Sequence, residues 1–188
     1  GSDICYFQNT YQKPGASKAS DTYYTLSFFV TFPHGQDTFL LAHTYPYTTI
    51  DNRHHIDGLL ATPSAAKYVR RSVMCHSLAG NECDLLTISD WASAEEEERR
   101  TGSAPRRRAI CLSARVHPGE CQASWMMRGL IDYLCGQSRT AHILRNTFVF
   151  KIVPMLNPDG VINGNYRCSL AGIDLNRQWK HASFSVTP

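Results

Sequence analysis

AICLSARVHPGECQASWMMRGLIDYLCGQSRTAHILRNTFVFKIVPML, residues 109–156, is the stretch that decides the fold class. It holds two short apolar runs, Ala109–Val116 and Phe148–Leu156. Between them, Trp125, Met126, Leu130, Tyr133 and Leu134 recur at near-helical spacing within Cys121–Cys135, and Gly136 follows as a helix cap. Ser138–Arg145 reads as a second, shorter helix. Near-continuous apolar strands on either side of a helix predict a βαβ unit with a buried parallel pair.

Working upstream, the first third has the composition of β-structure. Tyr23–Phe32 (YYTLSFFVTF) is aromatic and β-branched and ends at the turn signal Pro33-His34-Gly35, which makes Thr38–Tyr45 its expected hairpin partner. Ile50–Val69 is expected to be helical in part, against the resistance of Gly58 and Pro63. Short strands are expected around Ser72–His76 and Asp84–Trp91. Residues 93–108, with Glu95–Glu98 and Arg106–Arg108, read as a solvated charged loop.

Composition narrows the class. The chain has 188 residues, 43% hydrophobic, with a net charge of +3, so it carries too much apolar content and too little charge for a disordered chain. The mild basicity argues for no nucleic-acid partner. No run of eighteen apolar residues exists, so no membrane-spanning helix is expected. The seven cysteines form no Cys-x-x-Cys pair, and two of them, Cys111 and Cys135, fall in apolar periodic segments as buried thiols do. With no signal-peptide pattern at the start, reduced thiols in the cytoplasm are the expectation.

Open α/β sheets place their sites beyond the carboxyl ends of strands. Here the first apolar run leads into Arg115-Val116-His117-Pro118-Gly119-Glu120 and the second into Asn157-Pro158-Asp159-Gly160. If the strands are parallel neighbours, these loops lie side by side. His117 and Glu120, three apart across a Pro-Gly turn, can aim a ring nitrogen and a carboxylate oxygen at one zinc ion about 2 Å from each. By spacing alone the pair reads more readily as a surface histidine beside a glutamate stabilised by a helix dipole, and the strand-end location brings the two readings level. Downstream, Arg167 beside Asn165 and Arg177 beside Asn176 form a candidate clamp for a carboxylate.

Taken together, HPGE (117–120), NPDGV (157–161) and GNYRCSLAGIDLNRQW (164–179) closely resemble the cytosolic carboxypeptidases, zinc enzymes that trim glutamate from tubulin tails. Ile4-Cys5-Tyr6, Tyr23–Phe32, Pro33-His34 and Tyr45-Pro46-Tyr47-Thr48 resemble the end of that family's β-domain. The resemblance implies an α/β fold: a mixed zinc-carboxypeptidase-like sheet with flanking helices, incomplete here, preceded by part of an antiparallel β-sandwich. Residues 1–70 would then be the last part of a β-domain and residues 71–188 the first part of the catalytic domain.

The resemblance also implies roles. His117 and Glu120 match two zinc ligands, Arg167 the arginine that stabilises the oxyanion, and Asn176 with Arg177 the pair that holds the substrate's terminal carboxylate. In the family the third ligand, a histidine, and the glutamate base lie well after the NRQW segment. His181 comes too soon to match, and His34, His43, His54, His55, His76 and His142 match no ligand position. The implied cofactor is one Zn2+ per catalytic site, which these residues alone would hold poorly. The implied partners are acidic protein tails such as glutamylated tubulin, and the implied location is cytoplasmic, on or near the cytoskeleton. Two other readings are a non-catalytic module for acidic tails and a related N-acyl-amino-acid hydrolase.

Overall fold

The computed structural model describes residues 2–15, 17, 18 and 21–182, in two compact units, residues 1–41 and 42–188. In the first unit, β1 (Ser2–Gln12) pairs antiparallel with β2 (Thr22–Phe29), with Tyr6 facing Leu26 and Phe7 facing Thr25. Stacked rings of Tyr6 and Tyr24, 5.2 Å apart, cover part of one face. The partner of the aromatic strand is therefore β1. Thr38–Tyr45 forms no strand. A turn at Pro14-Gly15 follows β1, where Gly15 takes φ 76, a left-handed conformation that a side chain disfavours.

The second unit opens with α1 (Thr49–Ala61), whose start is set by a capping box. The Thr48 hydroxyl accepts from the Asp51 amide at 3.2 Å, and the Asp51 carboxylate accepts from the Thr48 amide at 2.7 Å. Pro63 cannot extend that helix but suits the first position of the next, the single turn α2 (Pro63–Ala66). The hairpin of β3 (Val69–His76) and β4 (Glu82–Ile88) follows.

The charged stretch at 93–108 departs from expectation over its first part, which is helical: α3 spans Trp91–Thr101. Asp90 caps its start by accepting from the Ser93 amide at 3.1 Å, and Gly102 ends it at φ 73. Alanine, glutamate and arginine are strong helix formers, and with both ends capped their charges simply face water, so the helix buries no residue.

Next come β5 (Arg108–Ser113), α4 (Cys121–Cys135), α5 (Arg139–Thr147), β6 (Phe148–Val153) and α6 (Pro158–Asn163). The sheet order is β3-β4-β6-β5, with β5 and β6 parallel and the other neighbours antiparallel. The sheet is mixed and the βαβ unit is present as expected.

Leu86, Ile88 and Ile152 from β4 and β6 are fully buried against Ile56 of α1 and Met127, Ile131 and Leu134 of α4. Cys135 is buried, whereas Cys111 is exposed. On β5 it alternates with Ile110 and Leu112, and those two face the core. Arg145, almost wholly buried, stacks its guanidinium 3.6 Å from the Tyr68 ring and donates to the carbonyls of Leu134 and Gly136. It thereby pins the end of α4 to α5, setting the return path into β6. Helix α1 belongs with this core through Ile56, and the compact units of this chain divide at 41/42.

Asp159, in the first turn of α6, reaches back to the β3–β4 turn. It accepts from the hydroxyl of Ser77, from the Ala79 amide at 3.0 Å and from the Asn81 amide group at 2.8 Å. Burial works to raise its carboxyl, but these donors outweigh burial and hold it below the usual carboxylate value. Asp159→Asn is expected to cost about 1–3 kcal/mol in urea unfolding at neutral pH. A depressed carboxyl stabilises above its unfolded-state value and loses that contribution as pH falls through the folded one. The gap between wild type and variant should therefore close below about pH 4.

Candidate metal and carboxylate site

Parallel pairing of β5 and β6 continues past the strand ends. The Ala114 amide donates to the Val153 carbonyl at 3.0 Å and the Leu156 amide to the Ala114 carbonyl at 2.9 Å. The two following loops therefore leave the sheet together. Arg115 begins the first with φ 57, an uncommon conformation for a side-chain-bearing residue. Its buried guanidinium explains why that conformation persists. It donates to the carbonyls of Pro118 at 2.8 Å and Tyr47 at 3.0 Å, to the Ser124 hydroxyl at 2.9 Å and to the Cys121 sulfur at 3.1 Å. Burial draws its pKa downward, and none of these acceptors is a carboxylate.

Two glycines let the three motifs interlock. A Cβ on Gly119 would stand 2.4 Å from the Tyr166 ring and 2.8 Å from its carbonyl oxygen, the oxygen to which the Gly119 amide donates at 2.8 Å. A Cβ on Gly160 would stand 2.3 Å from Pro118 Cγ and 2.9 Å from the Cys168 carbonyl oxygen. Asn157 ties the same place together, donating to the Val116 carbonyl at 3.2 Å and accepting from the Gly160 amide at 3.0 Å.

Against this frame His117 is buried, and its Nδ1 lies 3.0 Å from Glu120 Oε1. Glu120 occupies the cap position of α4, yet its side chain caps nothing; it turns to the histidine instead. The histidine is thus buried rather than at the surface, while Glu120 does stand at the helix N-terminus. Two ligands about 2.1 Å from a tetrahedral zinc lie roughly 3.4 Å apart, so a small opening of the pair would admit the metal. The nitrogen and the carboxylate thus fit two positions of a zinc site. Among the described residues, no group of three or more His, Cys, Asp or Glu is arranged to hold a metal ion. His181 sits in an exposed turn, its amide bonded to the Gln178 carbonyl.

Asp174 is the residue that sequence reasoning passed over. Its Oδ1 lies 3.1 Å from His117 Nε2 and its Oδ2 accepts from Arg167 Nε at 2.7 Å. It also caps the short turn Leu175–Arg177 by accepting from the Asn176 amide at 3.0 Å. Burial works to raise its carboxyl, but the bonds from Arg167, His117 and that amide hold it low. An acid beside a ligand histidine orients the ring and fixes its tautomer, leaving the other nitrogen for a metal. The only sequence signal was a carboxylate adjoining Asn176 and Arg177 in one motif.

Asn176 accepts from the Trp179 indole at 2.8 Å, and the exposed Arg177 turns Nη1 to the Asn176 carbonyl at 3.4 Å. The candidate ligands and Arg167 therefore meet through Asp174, and Asn176 and Arg177 follow on the adjoining turn.

The family model for zinc carboxypeptidase matches residues 60–187. The chain belongs to the zinc carboxypeptidase family. It is 44% identical over 192 residues to cytosolic carboxypeptidase 4 of Homo sapiens, covering all of this chain and 17% of that protein. It is 44% identical over 180 residues to cytosolic carboxypeptidase 2 of Danio rerio, covering 96% of this chain and 23% of that one. Among solved structures, it resembles a metallo-carboxypeptidase from Burkholderia cenocepacia, with a TM-score of 0.63 and 28% identity over 76% of this chain and 36% of that one. A metallo-carboxypeptidase from Pseudomonas aeruginosa, in complex with (2-guanidinoethylmercapto)succinic acid, gives 0.62 and 29% over 76% and 34%. The chain thus spans roughly a sixth to a quarter of these curated relatives, and the zinc carboxypeptidase fold accounts for its mixed sheet and flanking helices.

Gly160→Ala should push Pro118 off its contact and unseat the loop that carries His117 and Glu120. A stability loss of about 1–3 kcal/mol is expected by chemical denaturation, as for an overpacked core position.

Proposed function

We propose that this chain carries part of the active site of a zinc metallocarboxypeptidase that removes glutamate from protein carboxy termini or polyglutamate side chains, such as those of tubulin. The observation that carries the reading is the convergence of His117 and Glu120 with Arg167 through Asp174. The likeness to relatives named cytosolic carboxypeptidases supports carboxypeptidase chemistry and a cytosolic location, while the glutamate-tail substrate and a place near the cytoskeleton rest on the resemblance of the three motifs.

In this reading His117 Nδ1 and Glu120 hold the metal, and Asp174 keeps the proton on His117 Nε2. Bound zinc supplies an activated water and a polarised carbonyl. Arg167 keeps its Nε on Asp174, and its terminal Nη donors neutralise charge developing on the scissile carbonyl oxygen. Asn176 and Arg177 receive the terminal carboxylate, which a guanidinium binds through paired hydrogen bonds. A third metal ligand and the general base come from outside the described residues, so the 188-residue chain alone is expected to be inactive.

Glutamate-tailed peptides and the whole protein provide the test. Arg167→Ala should lower kcat/KM by about 10²–10³-fold, the scale of losing one oxyanion donor. His117→Ala should abolish zinc retention in native mass spectrometry. Hydrolysis by the 188 residues alone, lost in His117→Ala, would show that they contain a complete site. Binding of acidic tails that survives chelation and weakens with salt, without product, would favour the non-catalytic module. Cleavage of N-acyl aspartate but not glutamate tails would favour the acyl-amino-acid hydrolase.

A further inference from the structure

Away from the zinc ligands, Cys75 and Cys83 face each other across the β3–β4 hairpin, directly paired just after a bulge between Val73 and Cys75. Directly opposed residues of an antiparallel ladder have Cα atoms about 4.5–5.5 Å apart and side chains on the same face. That spacing lies inside the 4.4–6.8 Å range a disulfide spans. Both thiols are free, and both line one cavity of about 210 Å3 together with Asn157, Pro158 and Asp159. Cys75 is half-buried and Cys83 is buried.

We propose that Cys75 and Cys83 are a modification site, forming a reversible cross-strand disulfide that staples the hairpin holding Asp159. The oxidant is a small-molecule disulfide of the glutathione class. The Cys75 thiolate, the more accessible of the two, attacks one sulfur of that disulfide and expels one thiol, leaving a mixed disulfide. Cys83 then gives its proton to solvent and attacks Cys75 Sγ, expelling the second thiol. The protein loses two electrons and two protons, and the oxidant gains both as two thiols.

Burial, followed by the charge and hydrogen bond of Cys75, pushes the Cys83 thiol up to about 12. That assigns the first attack to Cys75. It also withholds from the reduced pair the thiolate stabilisation that makes some dithiols hard to oxidise. The link would close immediately beside residues 77–81, the turn that grips Asp159. Oxidation thus stiffens the loop whose Gly160 packs on Pro118.

The experiment equilibrates the purified protein with defined ratios of oxidised to reduced glutathione, traps thiols by alkylation and digests with trypsin and a glutamyl endopeptidase, which cut after Arg71 and Glu82 and leave Cys75 and Cys83 on separate fragments with no other cysteine. The expected result is a pair of fragments joined Cys75–Cys83, two hydrogens lighter than the separate thiols. It should be dominant at oxidising ratios and lost on reduction, while exposed Cys5 and Cys111 carry at most single glutathiones. Cys75→Ser and Cys83→Ser should each abolish the joined species. Recovery of both residues as alkylated thiols at every ratio, or of Cys75 only as a glutathione adduct, would overturn the proposal. Because the wild-type digest decides the matter, a variant that fails to fold leaves the conclusion intact.

Discussion

Everything at this site hangs from one buried cation. The Arg115 guanidinium has no acid to pair with, and burying a charge on neutral acceptors is costly. What it gains is reach: its four acceptors lie on the HPGE turn, on the segment before α1 and in the first turn of α4. The conformation of Arg115 itself, with φ 57, brings those three segments into range of one side chain. Removing it would leave the Pro118 and Tyr47 carbonyls without this donor in a place water hardly reaches.

The frame that Arg115 steadies was legible in the sequence wherever burial leaves a periodic trace. β5, α4 and β6 emerge from apolar runs because a parallel pair buried by a crossover helix has few polar positions to confuse the pattern. The same reasoning fails where burial is weak. α3 buries nothing, so its helix rests on propensity and caps, and a run of four glutamates looks like solvated loop until Asp90 and Gly102 are recognised as its ends. β1 escaped because Thr38–Tyr45, just beyond the turn signal at Pro33-His34-Gly35, is the more obvious apolar partner for β2.

For the site, the division follows reach along the chain. His117 and Glu120 are legible because their partnership is local, three residues apart across a turn. Arg167, Asn176 and Arg177 stand out by motif. Asp174 joins them only in three dimensions, through contacts at both ends of its carboxylate. Its Oδ1 serves His117 and the Asn176 amide, and its Oδ2 serves Arg167, so one side chain orients a candidate metal ligand, a cation and a capped turn. NPDG likewise reads as site sequence, yet Asn157 and Asp159 spend their polar atoms on bracing the scaffold.

The interlocking of glycine and ring has a temporal side. Gly119 cannot settle against Tyr166, nor His117 against Asp174 57 residues later, until the intervening helices and β6 have been laid down. Contacts of such long sequence separation form after local ones, because the loop between them must first be closed. A chain emerging from the ribosome would therefore carry HPGE as a loose pair of donors long before it carries a shaped site. In the proposed reading, metal capture belongs to the end of folding.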